Sequence, residues 1–415
     1  MKVVNNNTGE GRLPLYRNRS FVLYFLTFLA SSLSVAFFLF TVNWYVVDYL
    51  RLEAMLGFVF VASSIPRLLF MLIGGAIADR VNKATVMLLS DFTKAVLLVL
   101  VIGLLVFDLV SIWVLVGLAF LFGLLDAFFW PASSSLFPKL VDKKQLTRAN
   151  SIVHTTQRFS VIAGPLIAGV VIGFGSYELM FGLVSIMLLL AAVVDIYLRR
   201  RVGLGQEEQQ EHQSVWRSVI DGLRYVKQSP FLLTLMLTSV SLNLFLSGPL
   251  QMGLPIFARN VIGGGEFTYS LLSGLLGVGM LIGAVIVGII NINRRRGLVS
   301  LVSIVALGVF MVIFSLTGEL WISLVAISLV GLTMSIIDVP ILSAIQANTD
   351  EDYIGRMMSL ISFASMGLLP VSFLLTSLFI SLGFSVDEII FVASCCLLTV
   401  GVFVITFAKS IRYVD

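Results

Sequence analysis

The sequence is poor in what a water-soluble protein spends most of its surface on. Only 12% of its 415 residues are charged, against roughly 25% in ordinary soluble domains, so soluble-enzyme folds are excluded at the outset. Cysteine is almost absent. The two present, Cys395 and Cys396, are adjacent within an apolar run, which leaves neither a disulfide framework nor metal-ligand spacing. No Gly-x-x-x-x-Gly-Lys-Ser/Thr phosphate loop occurs, so there is no visible nucleotide engine. No span carries a hydrolytic or redox constellation, and neither an enzyme nor a cofactor is expected. The first twenty residues are polar and basic, without the short apolar core and small-residue cleavage site of a removable signal peptide.

What the chain has in abundance is apolar surface: 58% hydrophobic residues and a mean hydropathy of +1.03. A hydrocarbon core about 30 Å thick takes about 20 helical residues to cross. Charged and glycine-rich breaks divide the chain into twelve such stretches, near 21–47, 54–78, 84–107, 111–136, 148–174, 177–198, 230–258, 268–292, 298–317, 320–346, 356–383 and 388–408. Continuous apolar runs of this length predict helices rather than the short alternating strands of a barrel, because helices satisfy their backbone groups internally. The expected fold is therefore an all-α integral membrane protein of twelve transmembrane helices.

Net charge of +4 does not signal nucleic acid here, because the cations sit in short loops between spans. Of 27 Lys and Arg, 22 fall on one side of the twelve-span map, while Arg51 and Arg259 lie opposite and Arg67, Lys94 and Arg158 fall within spans. By the positive-inside rule both termini and the central loop are cytoplasmic, in the cell's cytoplasmic membrane. The one long polar stretch, 199–229, separates a first bundle, 1–198, from a second, 230–415. Its second half, with Trp216, Arg217 and Arg224, reads either as an amphipathic helix at the membrane surface or as a plain solvated linker. Gly123, Pro131 and Ser134 are echoed by Gly331, Pro340 and Ser343, as parallel six-helix repeats require.

Between spans 2 and 3 the chain reads Gly75-Ala-Ile-Ala-Asp79-Arg80-Val-Asn82-Lys83, and span 5 carries Gly164-Pro165-Leu-Ile-Ala168-Gly169. The first resembles the cytoplasmic signature loop of the major facilitator superfamily, with Asn82 where that family usually has Gly and Ala84 in place of a base. Asn82 is expected to take the left-handed backbone conformation of such a turn. The second resembles an element associated in that superfamily with exporters, with Ala168 in place of the first paired Gly. The run Phe128-Phe-Trp130-Pro131, with Pro138-Lys-Leu and Leu146-Thr-Arg-Ala149-Asn150, is similar to the subgroup of macrolide efflux proteins and siderophore exporters. The resemblance implies two pseudo-symmetric six-helix bundles, alternating access, and conformational gating by Gly75, Asp79, Arg80, Lys83, Gly164, Pro165 and Gly169. It implies a latch for Asp79 at the positive end of a helix from the other half. The glycines of spans 5 and 8, where the halves meet in that family, read as a rocking joint or as ordinary small-residue packing.

An ionisable side chain at mid-bilayer costs at least about 2.5–3.5 kcal/mol, so each needs a partner, water or a task. Asp126 and Arg158 each lie about 15 Å from the cytoplasmic ends of neighbouring spans at 1.5 Å per residue, so they are expected to pair, with Arg67 at a similar level. Asp91 and Lys94, three apart, are expected to satisfy each other, and Asp195 to be interfacial near Arg199. Asp126 reads as a proton-coupling acid modulated by Arg158, with Asp338 as its second-half counterpart, or else as a permanent ion pair. His154 reads as a proton relay or as a packed, hydrogen-bonded ring.

Gly248, Pro249, Gly253 and Pro255 predict a kink or break toward the outer end of span 7, with Asn243 and Gln251 facing a substrate path or else making packing or interhelical hydrogen-bond contacts. Phe37, Trp44, Phe128 and Trp130 supply aromatic walls suited to bulky amphipathic compounds. Together these features predict a monomeric, proton-coupled exporter of amphipathic small molecules whose other partners are protons and membrane lipid. Export of a dedicated metabolite, siderophore or lipid, and uncoupled facilitation, remain open, as does a non-transporting membrane scaffold.

Overall fold

The computed structural model describes residues 15–201, 230–290, 296–347 and 366–407, and every regular element among them is helical. Helix α1 spans Arg19–Trp44 and runs on as a π-helical turn, Tyr45–Tyr49. It is followed by α2 (Leu56–Arg80), α3 (Lys83–Val106), α4 (Ile112–Leu136), α5 (Leu146–Phe174) and α6 (Tyr177–Arg201). The second half of the chain contributes α7 (Pro230–Gln251), α8 (Gly253–Asn260), α9 (Glu266–Ile290), α10 (Arg296–Ser315), α11 (Leu320–Ala347), α12 (Leu369–Ser381) and α13 (Val386–Phe407).

Ten of these helices are long and apolar enough to cross a membrane, and the bent pair α7–α8 makes eleven. The sequence count of twelve differs by its eleventh stretch, 356–383, which is described only from Met366 and shows as the 13-residue α12. Large apolar side chains on the outer faces, such as Leu100, Trp113, Ile289 and Val325, remain exposed, as helices bathed in lipid require. The amphipathic stretch before Pro230 and the loop Arg294–Arg296 fall wholly or partly outside the described residues. So do the side chains of Gly75, Asp79 and Arg80, whose backbone forms the end of α2.

Helix ends are set by local chemistry. The Asn18 side chain accepts from the backbone N–H of Ser20 (3.1 Å) and Phe21 (3.2 Å), starting α1, and donates to the Leu140 carbonyl at 2.7 Å. Asn82 is not left-handed as expected: at φ −58° it caps α3, accepting from the Ala84 N–H at 3.0 Å. Asparagine serves here because its side chain satisfies a free helix N–H. The break in span 7 is present, with α7 and α8 meeting at 40° around Met252. Pro249 within α7 and Pro255 at the start of α8 each lack a backbone donor, so continuous helical bonding fails between them.

Glycine sets how closely the helices approach. A Cβ on Gly123 of α4 would overlap the Ser63 carbonyl of α2, and one on Gly279 or Gly283 of α9 would overlap the backbone of Ser328 or Leu332 in α11. These are contacts within one half of the chain. The most extensive contacts between halves are made by α5 against α9 and α2 against α12. In the first, Gly169 meets Ser270, Gly274 meets Leu166 and Gly277 meets Ile162; in the second, Gly57 meets Ser377. Gly164 instead packs on Ala36 of α1.

Gly123→Ala is expected to lower stability by about 1–3 kcal/mol, because the α2 backbone cannot yield as a side chain would. Gly103→Ala, with nothing within 4 Å of the added methyl, is expected to be neutral or stabilising. Thermal unfolding of the two variants in detergent compares them directly.

Candidate functional site

Three helices of the first half bring their charged residues into one buried cluster. Along α3 the buried positions Ala84, Met87, Asp91, Lys94, Leu98, Val101 and Leu105 recur at steps of three and four, so Asp91 and Lys94 fall on the stripe that faces the bundle. Lys94 donates to Asp126 Oδ1 of α4 at 2.6 Å and lies 3.9 Å from Asp91 Oδ1. Its ammonium also sits over the Phe129 ring at 5.1 Å. Asp91 accepts from the Ser31 hydroxyl of α1. The pairing of Asp126 with Arg158 does not form, and Lys94 takes that place. Asp91 and Lys94 satisfy each other only loosely, because the ammonium is drawn to Asp126.

Asp195 is likewise not interfacial. It lies on the buried stripe Val184, Leu188, Ala191, Asp195 and Leu198 of α6 and is 0% exposed. Neither of its oxygens has a hydrogen-bond partner, and the Thr27 hydroxyl beside it donates to the Ala191 carbonyl at 3.3 Å. Three buried carboxyl groups, Asp91, Asp126 and Asp195, thus lie in the first half with the buried ammonium of Lys94, which reaches only the first two.

Asp126 also lines a cavity of about 150 Å³ between the halves. Its walls come from α1 (Phe38), α2 (Phe60, Ser63, Ser64, Arg67), α4 (Phe122, Asp126), the end of α7 (Gln251) and α12 (Phe373). Arg67 and Gln251 are therefore brought together with Asp126. Trp130 stands behind Arg67, its ring 5.7 Å from the guanidinium.

Other residues expected at the site lie elsewhere. Phe37 and Trp44 are packed in the main core, with Trp44 stacked on Tyr269 of α9 at 5.8 Å. Phe128 is half-buried against a smaller apolar cluster built on Phe21, Tyr24, Met87 and Phe137. The Asn243 amide donates to the Ser239 carbonyl of its own helix at 2.9 Å, which uses one donor of the group expected to face substrate. Arg158 and His154 are exposed on α5. Arg158 is the charge acting on Asp338 of α11, which is also exposed, although the two form no ion pair within 4 Å. Pro165 lies inside α5, and Lys83, in the first turn of α3, is buried.

A second feature, not anticipated from sequence, closes the end of the bundle that carries few basic residues. Arg259 Nη1 of α8 donates to the Val47 carbonyl at 2.5 Å and pairs with Asp48 Oδ1 at 3.0 Å. Asp48 sits in the π-helical turn, and the Tyr177 hydroxyl donates to its other oxygen at 3.3 Å. Asn260 donates to Glu53 at 2.9 Å, Ser377 bonds the Ala54 carbonyl, and Asn43 donates to the Tyr269 hydroxyl at 3.4 Å. The Tyr269 ring stacks on Phe40 at 4.3 Å, and Phe60 stacks on Phe373 at 4.7 Å. Among the described residues, the hydrogen bonds, ion pair and ring stacks that join the halves all lie toward this end. The signal was present in sequence: Arg259 and Arg51 were the two cations on the wrong side.

A helical bundle that spans the membrane many times and encloses a partly charged cavity between its halves is the architecture of a secondary transporter. The chain belongs to the Major Facilitator Superfamily, whose pattern matches residues 21–371. It is similar to the macrolide efflux protein A of Streptococcus pyogenes, 23% identical over 308 residues covering 74% of this chain and 75% of that protein. It is also similar to the multidrug efflux pump Tap of Mycolicibacterium fortuitum, 25% identical over 327 residues, 76% of this chain and 78% of that one. The crystal structure of the nucleoside transporter NupG superposes with a TM-score of 0.74, covering 94% of this chain and 99% of that one at 10% identity, which shows the shared fold.

Removing one partner of a buried ion pair strands the other, at about 3–5 kcal/mol. Lys94→Met is expected to destabilise the protein by that order, and Lys94→Met with Asp126→Asn to recover part of the loss, in thermal unfolding. Arg259→Ala removes a partly exposed pair worth roughly 1 kcal/mol, which shifts a two-state equilibrium about fivefold. The expected result is a larger long-distance population between spin labels at positions 52 and 267.

Proposed function

We propose that the protein exports amphipathic small molecules from the cytoplasm in exchange for protons, by alternating access between the bundles 1–198 and 230–415. The basic end faces the cytoplasm, which places both termini there, and the end latched by Arg259 faces outward in the cytoplasmic membrane. The observation that carries the reading is the position of Asp126, which reaches the cavity between the halves while held by Lys94 from behind. The efflux named for both relatives favours export over uptake.

Asp126 serves as the coupling acid. A proton on its carboxyl group weakens the 2.6 Å contact with Lys94, whose remaining partner is Asp91 at 3.9 Å. The ammonium then moves toward α3 and α6, and the floor of the cavity changes charge and shape. Buried charge is what gives such a step its leverage, since the same pair in water would interact several times more weakly. Lys94 takes the modulating part that Arg158 held in the sequence reading. Arg158 and Asp338 face each other's fields across the halves on the cytoplasmic side and attract as that side closes. In this arrangement Gly169, Gly274 and Gly277 form the sliding surface between halves, and Gly75, Asp79, Arg80 and Lys83 form the cytoplasmic latch.

The short Lys94–Asp126 contact also suits a fixed structural pair, and one substitution separates the two. Asp126→Asn in sealed vesicles is expected to abolish substrate-driven proton movement while substrate binding remains measurable, because Asn keeps the volume of the side chain and loses only its titration. Full proton-coupled export by that variant would make the pair structural.

A further inference from the structure

The cavity contains a cation that nothing in the fold requires. Arg67 lines it from α2, its Nε is buried without a hydrogen-bond partner, and it forms no ion pair among the described residues. Among the described residues the Trp130 ring stands beside it, 5.7 Å away. The carboxylate in the same cavity, Asp126, is already engaged by Lys94 at 2.6 Å. The neighbouring hydroxyls of Ser63 and Ser64 both donate to the Phe60 carbonyl of their own helix, and neither is hydrogen-bonded to Arg67. A guanidinium at this depth without a counter-ion is costly, and its planar fork is matched to a carboxylate.

We propose that Arg67 receives an anionic group of the transported molecule, so that the substrates are amphipaths bearing a carboxylate. This rests on the cavity being part of the export path. Its volume supports the assignment: about 150 Å³ is well below the roughly 300–1,000 Å³ of a pocket that swallows a drug-sized ligand. It accommodates a charged head beside Arg67 and Gln251, with the start of an apolar tail against Phe38, Phe60, Phe122 and Phe373. A cationic head would meet Arg67 and Lys94 together, with Asp126 already paired, and is disfavoured by like charge.

The test uses the full-length protein in lipid nanodiscs and three ligands of similar size: N-benzoyl-phenylalanine, its primary amide, and phenylalanine benzylamide, which are anionic, neutral and cationic. Isothermal titration is expected to show the acid binding at least about tenfold more tightly than the amide, as a charge-assisted hydrogen bond implies, with the cation weakest. Arg67→Gln is expected to erase the preference for the acid while retaining amide binding, and Arg67→Lys to keep part of it. Equal or tighter binding of the amide or the cation by the native protein would overturn the proposal, as would no binding of any of the three at millimolar concentration. Persistence of the acid preference in Arg67→Gln would overturn it too. If Arg67→Gln does not fold, the native comparison and Arg67→Lys still decide. These measurements need no proton gradient, so absent proton exchange in vesicles would remove antiport and leave the ligand preference standing.

Discussion

A single ammonium holds the charged interior of the first half together. Lys94 sits between Asp91 and Asp126, with Asp195 unpaired nearby on α6, in a region that neither lipid nor bulk water solvates. Each carboxylate alone would be intolerable at that depth, and Lys94 alone equally so. Helices α1, α3 and α4 are therefore committed to one mutual arrangement by polar and charged contacts as well as by apolar packing. The commitment is incomplete, because one cation cannot satisfy three acids at once. A cluster with more acceptors than cations leaves at least one carboxyl group without a counter-charge, which is the feature on which the proposed proton coupling rests.

The spans, the break at Met252 and the superfamily motifs were legible because they depend on position along the chain. A 20-residue apolar run is visible in one dimension, and so is a pair of prolines six residues apart. The partner of Asp126 was not legible by the same means. Depth along neighbouring helices placed Arg158 at the right level, but pairing also depends on which way each helix is turned, and Arg158 is exposed on α5. The buried stripe of α3 carried the missing information. Asp195 was misplaced for a related reason: Arg199 four residues on suggested a shared polar face, while the spacing from Val184 through Leu198 placed the carboxyl group on the apolar stripe.

Asn82 shows a different limit. The family pattern made its backbone the point of interest, whereas its side chain does the work by capping α3. The closure at the end with few basic residues was hidden because it is assembled from residues far apart in sequence, Asp48 with Arg259 and Ala54 with Ser377, and no local pattern links them.

The contact of Gly123 with the Ser63 carbonyl has a consequence for how the molecule moves. Two helices whose backbones interlock at that point cannot slide past one another without first separating, so α2 and α4 travel as a single rigid jaw. Arg67 and Asp126 ride on that jaw, so the backbone spacing between them is held by the same contact. Relative motion of the halves then reshapes the chamber at the opposing wall, carried by Gln251 and Phe373. On the proposed alternating-access reading, the jaw presents a fixed electrostatic ruler and the wall of Gln251 and Phe373 is the part that withdraws.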